Sequence, residues 1–424
     1  MRNLLLAGIA IGAVTAVAAT TAARADEPAA VFPVTSETDL AGWNGPSLNG
    51  AAPGSVQVNL GGRTFSAIWF GNYPQGTPTY AKPPVPQFMS YFFMYPGFDY
   101  ASPGGVHFGA QAEIRMTSAP QGLGAGGNTN SPIPWFHEYF TYASSPVWGK
   151  VQFGIPNGAL VNNAVGTGDD FGTGLFFGWY STNPYIPWVM ADAPDNYVAT
   201  QKVVYTTPVY DGFNGAVSFA PTAVSANYTD GLTVGQPPGA TGLLSRNRIE
   251  MAVKYAGTFG PAGVKFDGGY VTSEAEKANG GIVAQHVSYG NAGAQITFAG
   301  LEVEGSVNIG KFNPNIADNG NPDGPLPLGA KGTTAWIGGI GYSAGPIKVG
   351  GVYYHVGYDL ADFGGTLGAT GHIRGEGLGG SYTVGPGVVA YLDAYTAAFD
   401  DPLVGNGRVR QYPSGIGIGT FFTW

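Results

Sequence analysis

The residues able to do chemistry are few, and their spacing argues against bond-making. The 424-residue chain has five histidines, His107, His137, His286, His355 and His372, and none stands at a metal-ligand spacing from another. There is no cysteine, so thiolate sites and disulfides are excluded. GLGAGG (122–127) matches G-x-G-x-x-G, but Asn-Thr-Asn-Ser-Pro follows it where a phosphate cradle needs a helix. DNGNPDG (318–324) has the outline of a calcium loop. Gly320 holds the third position, however, and no glutamate closes the loop, so it reads as a loop-tip turn. Gly-x-Ser-x-Gly is absent, and no nucleophile–base pair stands out. No enzyme activity and no cofactor are expected. What remains is a charge pattern. In GLEVEGSVNIG (300–310), Leu301, Val303, Val307 and Ile309 alternate with Glu302, Glu304, Ser306 and Asn308. The chemistry such a pattern supports is electrostatic.

Alternation of this kind belongs to strands, whose successive side chains point to opposite faces. It recurs from about Val56 to Trp424. In VHFGAQAEIRM, Val106, Phe108, Ala110, Ala112, Ile114 and Met116 oppose His107, Gln111, Glu113 and Arg115. In RIEMAVKYA, Ile249, Met251, Val253 and Tyr255 oppose Arg248, Glu250 and Lys254. Each ribbon has an oily face and a wet one. In a soluble sandwich the oily face meets a core. In a membrane barrel it meets lipid, and the wet face lines a pore.

Composition bears on this choice. Charged residues are 11% of the chain, against roughly 25% in soluble domains. Glycine supplies 70 residues and aromatics 13%. After the N-terminus no apolar run reaches the ~18 residues of a helical span. Only helices and closed barrels satisfy every backbone group inside a bilayer. The first 25 residues read as an export signal: Arg2, an apolar run from Leu4 to Ala19, then Ala23-Arg24-Ala25 as the cleavage pattern. Residues 26–54 read as an irregular extension and 55–424 as the barrel. Losing Arg2 and Arg24 takes the net charge from −9 to −11, and no basic stripe is present, so no nucleic-acid partner is expected.

Connections alternate in length. Tight turns at 102–105, 144–147, 211–215, 257–263, 299–301, 343–346 and 385–387 alternate with eight long polar loops, which joins sixteen strands. Short turns at one rim and long loops at the other mark an outer-membrane barrel. The last segment, PSGIGIGTFFTW, is expected to pair with the first, near 56–70, and close the sheet. Trp69, Tyr73, Trp336, Tyr342 and Tyr353 are candidates for interfacial girdles or for plain packing. Two stretches break phase. In HVSYGNAGAQITF, Val287 and Tyr289 lie out of phase with Ala294, Ile296 and Phe298, and HIRGEGLGGSYTV shifts near Gly377. Bulges, or faces shared with a neighbouring subunit, are the two readings.

With these elements in place the chain resembles the general porins of Gram-negative outer membranes, in particular the sixteen-stranded trimeric type of alphaproteobacteria. EYFTYASSPVWGKVQFGIPNGALV (138–161) is similar to that family's strand–turn–strand before its constriction loop. KVVYTTPVYDGFNGAVSFAP (202–221) resembles the strand pair after it. GGSYTVGPGVVAYLDAYTAAFDD (379–401) and GIGIGTFFTW (415–424) fit the family layout, although the family ends in Phe and this chain in Trp424.

The resemblance implies an all-β fold: one transmembrane antiparallel barrel of sixteen strands, with the long loop after strand five, Pro156 to Tyr197, folded inward. It implies a water-filled channel for passive diffusion of small hydrophilic solutes and ions, a homotrimer, outer-membrane lipid around it, and contact of Trp424 with the barrel-assembly machinery. It places Asp169, Asp170, Asp192 and Asp195 as acids at the eyelet, faced by Arg63, Arg115, Lys202 and Arg248 on inward strand positions. Opposed charges across a narrow pore make a transverse field that favours polar solutes. Phe171, Phe176, Phe177, Trp179 and Tyr180, with Tyr185 and Trp188, either wedge the loop against the wall or stack on sugar rings, which makes a carbohydrate-preferring porin the alternative. The rivals from other classes are an adhesin or enzyme on a barrel scaffold, and a soluble periplasmic sandwich.

Overall fold

The computed structural model describes residues 52–72, 86–117, 134–166, 201–223, 245–275, 286–312, 332–359, 370–401, 409–412 and 414–424. The expected leader (1–25), all but the last three residues of the extension, Tyr73, and the expected eyelet acids and loop aromatics lie outside them.

Seventeen strand segments form one antiparallel sheet. In chain order they are β1 (Val56–Asn72), β2 (Gln87–Ala101), β3 (His107–Thr117), β4 (Trp135–Ser145), β5 (Gly149–Ile155), β6 (Lys202–Thr206), β7 (Phe213–Ala223), β8 (Ser245–Phe259), β9 (Ala262–Ala275), β10 (Ser288–Phe298), β11 (Leu301–Lys311), β12 (Gly332–Ala344), β13 (Ile347–Asp359), β14 (Thr370–Gly385), β15 (Val388–Asp401), β16 (Val409–Gln411) and β17 (Ser414–Thr423). The short β16 and β17 both pair with β15 and together form the sixteenth wall strand. Consecutive strands are neighbours, and β17 pairs β1 from Arg63↔Thr423 to Asn72↔Ser414. The sheet therefore has no free edge, which is how a barrel satisfies its backbone groups in lipid. Most strands reach or exceed the ~9–11 residues a tilted span needs, and the seven tight connections fall on one rim.

The alternation decides which way each face points. On β11, Leu301, Val303 and Ile309 are exposed on the outside, while Glu304, Ser306 and Asn308 are buried on the inside. β3, β5, β8 and β9 obey the same rule. The composition has a shared cause. Inward aromatic rings lie over glycines directly opposite on the next strand: Tyr142 over Gly109, Tyr354 over Gly375 and Tyr391 over Gly419. A Cβ at any of these glycines would enter the ring. At these three places glycine and tyrosine go together because the ring covers a neighbour that must lack a side chain.

The two phase breaks are not bulges. β10 pairs with β9 and β11 without a register shift, and the one shift in β14 falls between Thr383 and Gly385, not near Gly377. The pattern changes because the inner wall itself changes. Val287, Tyr289, Ala335, Ile337, Tyr354, Val356, Ile373, Tyr395 and Ala397 point inward and form one buried cluster with Leu160, Val271 and Phe312. On β14 the polar residues His372, Arg374 and Glu376 consequently face outward. Trp69 is likewise no girdle residue. It faces inward and meets Tyr395 edge-on, with ring centroids 6.4 Å apart. Trp336, Tyr342 and Tyr353 do face outward. At the turn rim, Phe213, Tyr255 and Phe266 make an outward aromatic group that the sequence reading missed, with Tyr255 4.6 Å from Phe213 and 4.9 Å from Phe266.

Candidate lumen site

Opposite the apolar cluster, the inner wall of β1–β9 carries charge. All four basic residues expected at the eyelet point into the barrel and are buried: Arg63 on β1, Arg115 on β3, Lys202 at the start of β6 and Arg248 on β8. Register brings two of them together. Arg63 and Arg115 both stand opposite Phe93 of β2. Their guanidinium carbons lie 4.7 Å and 4.8 Å from the centre of its ring, one from each neighbouring strand. A ring face attracts cations through its quadrupole, so Phe93 holds two like charges apart while favouring both.

The acids that meet these bases are wall residues. Glu113 accepts from Arg115 Nε at 2.6 Å and stands opposite Glu138 of β4. Glu250 accepts from Arg248 Nε at 3.2 Å. Nearer the turn rim, Asp99 on β2 accepts from the Tyr142 hydroxyl at 2.7 Å and lies 2.6 Å from His107 Nδ1. On β10 and β11, Gln295 donates to Glu302 at 2.5 Å and to Glu304 at 3.1 Å. Lys348 of β13 lies 3.3 Å from Glu302. Buried charges survive only when paired or hydrogen-bonded, and this wall supplies such partners both along a strand, as for Arg115 and Arg248, and across strands, as for Asp99 and Glu302.

After β5 the chain turns inward. Residues 156–166, with a short 3-10 turn over Val161–Asn163, cross the inner faces of β7 to β11. Each step is tied to the wall. Ala159 N–H donates to Ser218 Oγ at 3.2 Å, Leu160 N–H to Glu250 Oε2 at 3.3 Å, and Val165 N–H to Asp267 Oδ1 at 3.1 Å. Asn214 donates to Asn163 Oδ1 at 2.8 Å. Two glycines make the approach possible. A Cβ on Gly158 would enter the Glu250 carboxylate, and Gly166, at φ 73°, abuts the Gly305 carbonyl. The Leu160 side chain reaches Gly269 and joins the apolar cluster. The inward start of the loop is thus pinned by backbone donors to wall carboxylates and by one leucine on the apolar wall.

The sequence reading placed the four bases on inward positions but did not foresee the acceptors. Ser218, Glu250 and Asp267 were wet-face residues like any others. Their tether role depends on where a distant loop crosses, which strand period does not encode. Asp169, Asp170, Asp192 and Asp195, and the aromatics Phe171, Phe176, Phe177, Trp179 and Tyr180, fall in 167–200, outside the described residues. Among the described residues no three histidine, cysteine or acidic side chains are grouped to hold a metal ion.

Comparison with known proteins agrees with this architecture. An anion-selective porin from Comamonas acidovorans superposes with a TM-score of 0.52 at 15% identity, over 87% of this chain and all of that one. A mutant of the Rh. blastica porin does so with a TM-score of 0.50 at 13% identity, over 87% of this chain and 100% of the other. At such identities the likeness concerns the fold. No curated protein matches the chain in sequence. The family model for Gram-negative porins matches residues 97–402, a span that includes the charged wall from Asp99 to Asp267 and the inward segment. The chain belongs to the Gram-negative porin family.

Proposed function

We propose that this porin passes small hydrophilic solutes along the charged side of its interior, past the segment that begins at Pro156, with Arg63, Arg115, Lys202 and Arg248 supplying the positive side of the local field. The observation that carries the reading is the loop start pinned across β7–β11 while the guanidinium pair on Phe93 stands on the other side of the barrel. Charges fixed on low-dielectric walls focus a field across a narrow path. That field orders water and penalises apolar solutes. No covalent step is involved, and no enzymatic role is assigned. Asp169, Asp170, Asp192 and Asp195 are proposed as the opposing acids. The loop aromatics are proposed to set any preference for sugars.

Residues 1–25 are proposed as the export signal that takes the chain to the outer membrane, and 26–54 as an extension before the barrel. A homotrimer embedded in outer-membrane lipid, assembled with recognition of Trp424, completes the proposal. The geometry at Trp424 suits a terminal signal. Its backbone exchanges hydrogen bonds with Gly62 at 3.0 Å and 3.1 Å, and its ring lies over Gly62, 5.4 Å from the Phe92 ring.

Single-channel recording in planar bilayers tests the channel reading. Discrete ohmic steps are expected, with a reversal potential under a salt gradient that moves toward cation preference in Arg63→Ala with Arg115→Ala. A barrel that inserts without conducting would refute the reading. Block by added neutral sugars tests the carbohydrate preference separately.

A further inference from the structure

The inner wall holds a base that the charged cluster does not use. Lys150 is the second residue of β5, one step inside the turn rim. It shares the inward face of that strand with buried Gln152 and is itself half-buried. Other inward bases are engaged. Arg63 and Arg115 lie on Phe93, and Arg248 on Glu250. Lys202 acts on Glu138 and Glu250, and Lys254 on Asp267. Among the described residues Lys150 has no ion pair, no hydrogen bond and no carboxylate acting on it.

Its setting is a row of donors. Register places Ser144 of β4 directly opposite Lys150 on one side and Thr206 of β6 directly opposite on the other. Residues paired across a ladder point to the same face, so all three side chains are inward. Neither hydroxyl has a hydrogen-bond partner among the described residues. Asp99, the acid of the next row, is already held by the Tyr142 hydroxyl and by His107. An ammonium has three donors and no acceptor, and each hydroxyl can donate as well. What complements them is an acceptor with negative charge, drawn from the water of the lumen. A planar carboxylate presents two oxygens. A tetrahedral oxyanion presents four in diverging directions, which suits an ammonium with a hydroxyl on either side. Strands lie about 4.8 Å apart, so the two hydroxyls stand on backbones roughly 10 Å apart, with Lys150 between them.

We infer that Lys150, Ser144 and Thr206 form a subsite for a small tetrahedral oxyanion of the phosphate type, at the turn-rim mouth of the barrel. Ammonium–oxyanion contacts are charge-assisted and strong for their size, so the subsite holds phosphate where chloride passes. It does not rest on the permeation reading, because a barrel that conducts nothing could still bind the anion.

Inorganic phosphate is the probe, followed by the width of its phosphorus resonance with the folded barrel in detergent. Broadening is expected for the native protein and for Lys150→Arg, which keeps the charge, but not for Lys150→Met. Ser144→Ala with Thr206→Val should weaken binding at least about tenfold, and it tests the site even if Lys150→Met fails to fold. Lys265→Met, which removes an exposed base on β9, should leave the broadening unchanged. Sulfate should compete and acetate at equal concentration should not. Equal broadening in the native protein and Lys150→Met overturns the inference. So does an equal loss in Lys265→Met, which would assign the effect to overall charge, or competition by acetate as strong as by sulfate. In planar bilayers, phosphate should reduce the chloride current of the native barrel and not that of Lys150→Met. A barrel that broadens the phosphate signal but carries no current would refute the permeation reading and leave the subsite standing.

Discussion

The two sides of the interior solve the same problem by opposite means. The wall of β1–β9 holds the buried charges, with Arg63, Glu113, Arg115, Glu138, Lys202, Arg248, Glu250 and Asp267 all inward, next to an apolar group of Phe65, Ala67, Phe93 and Tyr95 on β1 and β2. On the loop half of β10–β15 it is apolar, with Tyr289, Ile337, Tyr354, Val356 and Ile373. The inward segment joins them, holding the first side through backbone donors to carboxylates and touching the second through Leu160. The polar side is costly to build and specific in what it holds. The apolar side gains free energy by burial alone but offers nothing directional to a passing solute. Permeation should therefore be sensitive to the first side and stability to both.

That difference can be broken from either side. The largest effect is expected from Glu250→Leu, which leaves Arg248 buried without its carboxylate and Leu160 N–H without its acceptor. About 3–5 kcal/mol should be lost, read as a lower midpoint in denaturant titration of the refolded barrel, together with altered conductance as the segment loosens. Ile337→Ala on the apolar side should cost about 2–4 kcal/mol through the cavity it leaves, measured in the same titration, with the reversal potential unchanged. A shift in selectivity in that variant would undo the contrast between the two sides. Val307→Arg, near the middle of β11 on the lipid face, should cost about 2–4 kcal/mol, seen as reduced thermal resistance of the folded band in detergent gels. Arg63→Ala should cost about 2 kcal/mol, the figure for a desolvated cation–π contact, yet move the reversal potential clearly toward cations. The smallest change belongs to Asp267→Asn. It keeps an oxygen to accept from Val165 N–H while removing the charge, so stability should fall by about 1 kcal/mol or less, whereas Asp267→Ala should loosen the segment and change conductance.

Much of this was legible in the sequence because strand period is a local signal. Leu301–Ile309 against Glu302–Asn308 announced both faces, and the alternation of short and long connections announced sixteen wall strands with β17 closing on β1. Arg115 and Arg248 could be placed on the wet face by parity, while the family resemblance supplied Arg63 and Lys202. The rule failed where its premise did. It assumed that apolar means outward everywhere, so Val287 and Tyr289 looked like a slip in register and HIRGEG like a bulge. In a barrel that packs chain against part of its own inner wall, apolar side chains have a second place to go. The acceptors for the loop were hidden for another reason. Ser218, Glu250 and Asp267 meet residues 159–165 only after the sheet has curled round, and nothing in their own strands records that meeting.

Closure has a consequence for how the molecule comes into being. Arg63 finds its strand partner at Thr423, so the wall cannot seal until almost the whole polypeptide has been made. A chain interrupted before Ser414 would leave β1 and most of β15 as raw edges, with the ladder groups that face β17 unpaired. Pairing at such sequence distance is slow. Residues 414–424 therefore act as a receipt for everything upstream, since a chain without them has nothing to zip onto Gly62 and Arg63.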